Sequence, residues 1–283
     1  EMLRSLVGSE MCIRDRNITD PDIVPYIPDG IGNSTDRQRI PAVLIIPGGA
    51  FRRLVYNFEG EDVAKWLNSM GIAAFVLECR LPSDEHDNAE DVPLIDAMRA
   101  MRVIRGRAQE FGIDEAKIGV MGFSAGGFMA ALLSTAYESD VYVDYKYKDE
   151  YDKLSARPDF AVCSYPVISI DDCIEAGKRY MSEEQVLERI SDSKAKILHK
   201  YNPDKLVRPD MPPVFICETD DDRTTLSENS VGFYMAARKA GVSAELHIFR
   251  TGGHGYGCGD DFAQTGEWKV LFTKWIKSIG IIS

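Results

Sequence analysis

At 283 residues with 45% hydrophobic content, the chain can bury a sizeable core, and its length is ordinary for a single α/β unit. Its net charge of −12 opposes a phosphate-binding surface, because Asp and Glu repel the phosphates that Lys and Arg neutralise; nucleic acid and anionic membrane are therefore not expected as partners. No stretch reaches the roughly 18 apolar residues of a membrane span, and the cysteines Cys12, Cys79, Cys163, Cys173, Cys217 and Cys258 are scattered without CxxC spacing, so neither a zinc site nor a disulfide framework is signalled.

The N-terminus lacks the continuous apolar core of a signal peptide, which favours a cytoplasmic location. The run Ser9-Glu10-Met11-Cys12-Ile13-Arg14-Asp15-Arg16 resembles a translated sequencing adapter. Residues 1–16 are therefore set aside as a non-native segment, and 17–283 are expected to form one domain. From Pro41 onward, short apolar runs alternate with helix-period segments, a pattern that implies a mostly parallel sheet with helices on both faces.

The first predicted strand, Ala42–Ile46, runs into Pro47-Gly48-Gly49-Ala50-Phe51, where glycines let the backbone turn its N–H groups toward a substrate oxygen. Glu59-Gly60-Glu61 follows and reads as a helix start, with carboxylates favourable at the N-terminus. Val63, Trp66, Leu67 and Met70 recur at helical spacing, and a strand is predicted over Ile72–Leu77. The acidic cluster Asp84–Asp91 has no metal-ligand spacing and reads as solvated surface, as does Asp149–Asp152. The stripe Leu94, Ala97, Met101, Ile104, Ala108 and Phe111 predicts one continuous helix.

Lys117–Met121 is the next predicted strand, and it leads into Gly122-Phe123-Ser124-Ala125-Gly126 and then an apolar helical run. The pentapeptide alone is a weak signal. Between a strand and a helix it is stronger, because a nucleophile elbow needs small residues two before and two after the serine so that strand and helix approach closely. Ser124 is the candidate nucleophile; the Ala125 N–H at the helix N-terminus, with an amide from Gly49 or Ala50, forms the candidate oxyanion hole.

Further strands are predicted over Phe160–Ser164, Val214–Cys217 and Ala244–Phe249. Two segments interrupt the alternation, Asp140–Lys153 and a charged, helix-prone insertion at about 171–205; excursions of this kind lie above strand ends, where they can wall a substrate site. Asp220, Asp221 and Asp222 all follow the strand Val214–Cys217, so each is a candidate acid. Of four histidines, His86 precedes the nucleophile, His199 lies in the insertion and His247 alternates with apolar residues inside a strand. His254, in Thr251-Gly252-Gly253-His254-Gly255-Tyr256-Gly257, is the candidate base: it sits on a glycine loop after a late strand, and a neutral imidazole can take a serine proton. Trp268, Leu271, Phe272 and Trp275 mark the core face of a last helix.

Pro47-Gly48-Gly49-Ala50-Phe51, Gly122-Phe123-Ser124-Ala125-Gly126-Gly127 and Gly253-His254-Gly255, with Leu154–Phe160 and Tyr165–Ser169 between them, resemble the motifs of bacterial esterases related to acetylxylan esterases, over about residues 22–280. The resemblance implies an α/β-hydrolase fold for 17–283, a Ser-His-Asp triad working through an acyl-enzyme, and deacetylation of acetylated carbohydrates of the xylan type. No cofactor or metal is implied, and the expected partner is a small-molecule or oligosaccharide ester. Ala50 departs from the usual third glycine of the first loop. Laying Glu228-Asn229-Ser230 on the family pattern puts the acid at Asp222, although Thr224-Thr225-Leu226 replaces the usual run there and leaves Asp221 as the alternative. Prolyl oligopeptidase-type peptidases share the catalytic fold but usually carry a preceding β-propeller, for which this chain has no room. Non-catalytic relatives of the fold have often lost a triad member, whereas candidates for all three are present here.

Overall fold

The computed structural model describes residues 18, 20–30, 39–82, 86–144, 149–191, 196–259 and 264–283. The adapter-like segment 1–16 lies outside the described residues, as do parts of the acidic stretch near Asp84, of the segment Asp140–Lys153 and of the insertion. Among the described residues, β1 (Asp22–Tyr26), β2 (Ile40–Ile46), β3 (Ala73–Glu78), β4 (Ile113–Phe123), β5 (Ala161–Ser164), β6 (Val214–Thr219) and β7 (Ala244–Phe249) form one sheet in the order β1-β3-β2-β4-β5-β6-β7. All neighbours are parallel except β1, which pairs antiparallel with β3. No sequence signal marked β1. It carries Pro25 on an edge, and only Ile23 of its five residues is fully buried, so it shows neither a continuous apolar run nor alternation.

The period-two geometry of β2 divides the core. Ala42, Leu44 and Ile46 pack in one cluster with α2 (Val92–Gly106), α4 (Ala125–Ala136) and α8 (Ser227–Lys239), while Val43 and Ile45 face the opposite cluster with α1 (Asp62–Ser69) and α9 (Glu267–Ser278). On the second face Trp66 of α1 meets Trp268 of α9 edge-on at 5.0 Å, and Phe272 and Trp275 continue the aromatic layer onto Phe215 of β6.

The stripe that predicts a single helix from Leu94 to Phe111 is split in the structure. α2 ends at Gly106, Arg107 has non-helical dihedrals, and α3 (Ala108–Phe111) follows and is capped by left-handed Gly112. Gly106 is in close contact with the Tyr151 ring, where a Cβ would stand 2.3 Å away. Both short helices still bury the predicted apolar residues, and for that reason the break leaves no trace in the pattern.

The acidic segments are not simply solvated. Arg99 on α2 binds Asp149 at 2.5 Å and Asp152 at 3.1 Å, and Asp91, largely buried, accepts from Lys200 at 2.6 Å and from the Tyr201 hydroxyl. The insertion contributes α5 (Ile170–Tyr180), capped by Ser169 on the Asp171 N–H, then α6 (Glu183–Ser191) and α7 (Lys196–Lys200). No described helix is long and apolar enough to cross a membrane.

Close backbone approach sets the geometry behind α4. A Cβ on Gly126 would lie 1.9 Å from the Ile46 carbonyl oxygen, whereas Gly232, exposed in the middle of α8, has open space around it. Gly126→Ala is therefore expected to destabilise the fold by about 2 kcal/mol or more, since a β-strand backbone must move. Gly232→Ala is expected to stabilise it by about 0.5–1 kcal/mol through helix propensity. Urea denaturation of the two variants checks the opposite signs.

Candidate active site

β4 ends at Phe123 and α4 begins at Ala125, so Ser124 is the single residue of the turn between them, with φ 54° and ψ −117°. A non-glycine residue in this region is strained, and it is held there by hydrogen bonds on both sides of its peptide units: the Ser124 N–H donates to Ser164 O at 3.0 Å, and its carbonyl accepts from Phe128 at 3.0 Å. The turn projects the hydroxyl toward the loop after β7, where His254 Nε2 lies 2.9 Å from Ser124 Oγ. On the other side of the ring, His254 Nδ1 is 2.6 Å from Asp222 Oδ2.

Asp222 is fully buried at its side chain, and all its lone-pair directions are used. Oδ1 accepts from the N–H groups of Thr224 at 2.7 Å and Thr225 at 2.9 Å, and Oδ2 accepts from the Thr225 hydroxyl at 2.9 Å as well as facing the imidazole. Burial alone would raise its pKa, but the hydrogen bond and charge of His254, together with the two amides, outweigh it and hold the carboxyl below its ordinary range. The Thr224-Thr225 pair, which departs from the family run, thus supplies three of the bonds on the acid.

Asp221 does not reach the ring in the structure. Its Oδ1 accepts from Gly252 at 2.9 Å and Gly253 at 2.8 Å, which fixes the chain immediately before His254. Thr219 assists by donating to Gly253 O at 2.8 Å. The remaining histidines stand elsewhere: His86 Nε2 is 3.2 Å from Ile18 O, His247 Nε2 is 2.8 Å from Glu245, and His199 is exposed on α7.

The loop after β2 lies beside the elbow. Gly49 and Ala50 both have positive φ, 132° and 56°, so Ala50 adopts the left-handed conformation despite its Cβ. The loop's own bonds run from Arg52 N–H to Gly49 O and from Val55 N–H to Gly48 O; among the described residues none uses the Gly49 or Ala50 N–H. Ala125, as the first residue of its helix, has no acceptor one turn back. Gly49, Ala50, Ser124 and His254 line one cavity of about 530 Å³ with Arg52, Arg53, Val55, Phe58, Glu59, Thr224 and Gly255. No described residue of the insertion lines it, although Arg223, next to Thr224, stacks on Tyr180 at the end of α5.

One lining residue has a different place from the one its local sequence implied. Glu59 does not serve a helix start at the surface: it is only 3% exposed and sits in a π-helical turn, Asn57–Glu61, ahead of α1. Its Oε2 accepts from the Gly48 N–H at 2.7 Å and its Oε1 from the Tyr165 hydroxyl at 2.9 Å. Tyr165, fully buried, accepts in turn from the Gly257 N–H at 3.0 Å and meets the His254 ring edge-on at 5.1 Å. Trp268 anchors the same loop by donating its indole N–H to Gly257 O at 3.0 Å. The only sequence signal for this linkage was the pair of motifs around Glu59 and Tyr165, which spacing alone does not connect.

The BD-FAE family model matches residues 31–236. An acetylxylan esterase of Xylanibacter ruminicola is 31% identical over 240 residues, covering 84% of this chain and 45% of that protein, and the endo-1,4-beta-xylanase B of Butyrivibrio fibrisolvens is 31% identical over 227 residues, covering 80% and 34%. The chain thus spans less than half the length of these curated relatives. Among solved structures, an acetyl ester-xyloside bifunctional hydrolase from Caldicellulosiruptor lactoaceticus superposes with a TM-score of 0.76 at 37% identity, covering 94% of this chain and 91% of that one. The carboxylesterase Cest-2923 of Lactobacillus plantarum shares the fold with a TM-score of 0.76 at 21% identity, covering 96% and 99%. The sheet described above is therefore that of an α/β-hydrolase fold.

The two aspartates have separable expectations. Asp222→Asn places an NH₂ group against Nδ1 and favours the wrong tautomer, so ester turnover is expected to fall on the order of 10³–10⁴-fold. Asp221→Asn keeps an acceptor for Gly252 and Gly253 and is expected to cost less than about tenfold. Steady-state kcat on 4-nitrophenyl acetate compares them; equal losses would reassign the acid.

Proposed function

Because the chain belongs to the BD-FAE family, we propose that it is a serine carboxylic ester hydrolase that removes acetyl groups from carbohydrate esters of the xylan type. The observation that carries the proposal is the hydrogen-bonded chain Ser124–His254–Asp222 at the wall of the cavity. In the first half-reaction Ser124 Oγ attacks the ester carbonyl while His254 Nε2 takes its proton, and Asp222 orients the ring and stabilises the imidazolium. The developing oxyanion is met by the Ala125 N–H with an amide from Gly49 or Ala50. His254 then protonates the departing alcohol. Water repeats the sequence on the acetyl-enzyme, releasing acetate and restoring Ser124.

The substrate assignment draws on the relatives, two of which are named for acetyl ester or acetylxylan hydrolysis. Two features of this chain agree with it. The open cavity, about 530 Å³ with Arg52, Arg53 and Glu59 among its lining residues, has the volume for part of an oligosaccharide. The apolar recess next to the elbow, lined by Phe51, Leu54, Leu81, Ala125 and Met129, holds about 10 Å³, little more than one water-sized group. A long acyl chain finds no trough there.

Two measurements test the proposal. Ser124→Ala is expected to lower acetate release from acetylated xylo-oligosaccharides by at least about 10⁴-fold in folded protein; near-normal turnover would remove Ser124 from the mechanism. Across 4-nitrophenyl acetate, butyrate and octanoate, kcat/KM is expected to fall with chain length. A binding trough would instead add about 0.8 kcal/mol per buried methylene, and a maximum at octanoate would point to a lipid esterase.

A further inference from the structure

Glu59 is a buried acid to which the acyl-transfer steps assign no role. Burying a carboxylate is costly unless each oxygen is met by a donor, and here each is: Gly48 N–H at 2.7 Å on Oε2 and the Tyr165 hydroxyl at 2.9 Å on Oε1. Both donors belong to the site. Gly48 precedes the two residues that offer oxyanion amides, and a Cβ there would fall 2.7 Å from Glu59 Oε2 and 2.9 Å from Ser124 Cβ, so carboxylate, loop and nucleophile are in mutual contact. Tyr165 holds the Gly257 N–H at 3.0 Å, and its ring is packed edge-on against His254.

The reaction needs groups from two separate loops, the one after β2 and the one after β7, in one geometry. The relay Gly48 N–H to Glu59 to Tyr165 OH, with Gly257 N–H donating into the tyrosine oxygen, spans the gap. We infer that Glu59 is a positioning residue of the ester-hydrolase centre: through Gly48 on one oxygen and Tyr165 on the other, it sets the oxyanion amides and the His254 ring in register around Ser124. The inference rests on the ester-hydrolase function proposed above and adds to it a residue whose hydrogen bonds go to Gly48 and Tyr165 rather than to Ser124, His254 or Asp222. Burial pushes the Glu59 carboxyl above its ordinary range, while Gly48, Tyr165 and the nearby charge of His254 pull it back.

Glu59→Gln keeps size and shape and leaves an oxygen for Gly48, but turns an amide NH₂ toward the Tyr165 hydroxyl, so the relay loses its central acceptor. Tyr165→Phe breaks the same relay at its other end without touching Glu59. For each, kcat on 4-nitrophenyl acetate is expected to fall roughly 10- to 100-fold with KM within about threefold, as for a lost transition-state geometry. The Glu59→Gln/Tyr165→Phe double variant is expected to be no worse than about threefold below the weaker single, because both act through one unit. A boronic-acid inhibitor, which becomes tetrahedral on Ser124, is expected to weaken in parallel with kcat/KM. Labelling of Ser124 by a fluorophosphonate, in which Oγ bonds phosphorus and fluoride leaves, is expected to slow by a similar factor.

A purely architectural role would lower the urea midpoint while folded protein kept wild-type kcat and labelling rate, and that result would overturn the inference. Losses that multiply in the double variant would overturn it too. If Glu59→Gln does not fold, Tyr165→Phe carries the same comparison. A wild-type chain that hydrolyses no ester yet labels at Ser124 would count against the proposed function alone, and the labelling rates of the variants would still decide the role of Glu59.

Discussion

Three backbones meet behind Ser124 at distances that only glycine permits. A Cβ on Gly122 would stand 1.9 Å from the Gly126 carbonyl oxygen, and a Cβ on Gly126 would stand equally close to the Ile46 oxygen. This contact joins the end of β4, the start of α4 and the end of β2 into one rigid corner. Its consequences run outward: Ser124 is forced into positive φ, the α4 N-terminus is brought beside the loop after β2, and Gly48 is left in touch with the Ser124 side chain. The loops from β5, β6 and β7 then need only complete a geometry whose first half is already fixed.

Completion is electrostatic. In a chain of net charge −12, the site concentrates buried carboxylates, each kept for a specific set of donors. Asp222 is drawn toward the ionised form by His254 and two amides. Glu218, four residues earlier on β6, is pushed well above its ordinary range by burial and by the charge of Asp222, so the two adjacent acids are driven in opposite directions. Glu59, close enough to feel the charge of His254, has both oxygens met by donors. Arg52 and Arg53 line the cavity beside Ser124 and His254.

The parts legible in the sequence were those whose physics is local. Five of the seven strands show as apolar runs because their segments are buried on both faces, the edge strand β7 shows through its alternation although it is only partly buried, and the elbow shows because strand, small residues and helix lie within about a dozen positions. Ser124, His254 and Asp222 were singled out by motif, loop context and family spacing, and the structure brings them within hydrogen-bond distance of one another. Other features were hidden for identifiable reasons. β1 is a half-exposed edge strand without alternation, and the α2–α3 break leaves the apolar stripe intact. Asp221 and Asp222 differ only in which loop atoms they reach, a matter of side-chain direction after a turn. Glu59 had a sufficient local explanation at a helix start, and its true donors lie 11 and 106 residues away.

The aromatic layer on the α1–α9 face has a consequence for observing the molecule. All three tryptophans belong to it: Trp66 lies against Trp268, and Trp275 continues the row. The opposite face, where α2, α4 and α8 pack, has none. Tryptophan emission therefore samples one side of the sheet, and one of its three indoles donates its N–H to Gly257 O, in the loop that carries His254. Emission from Trp268 is an optical reporter on the histidine loop that requires no label, while rearrangements beneath α2 and α8 leave the same spectrum silent.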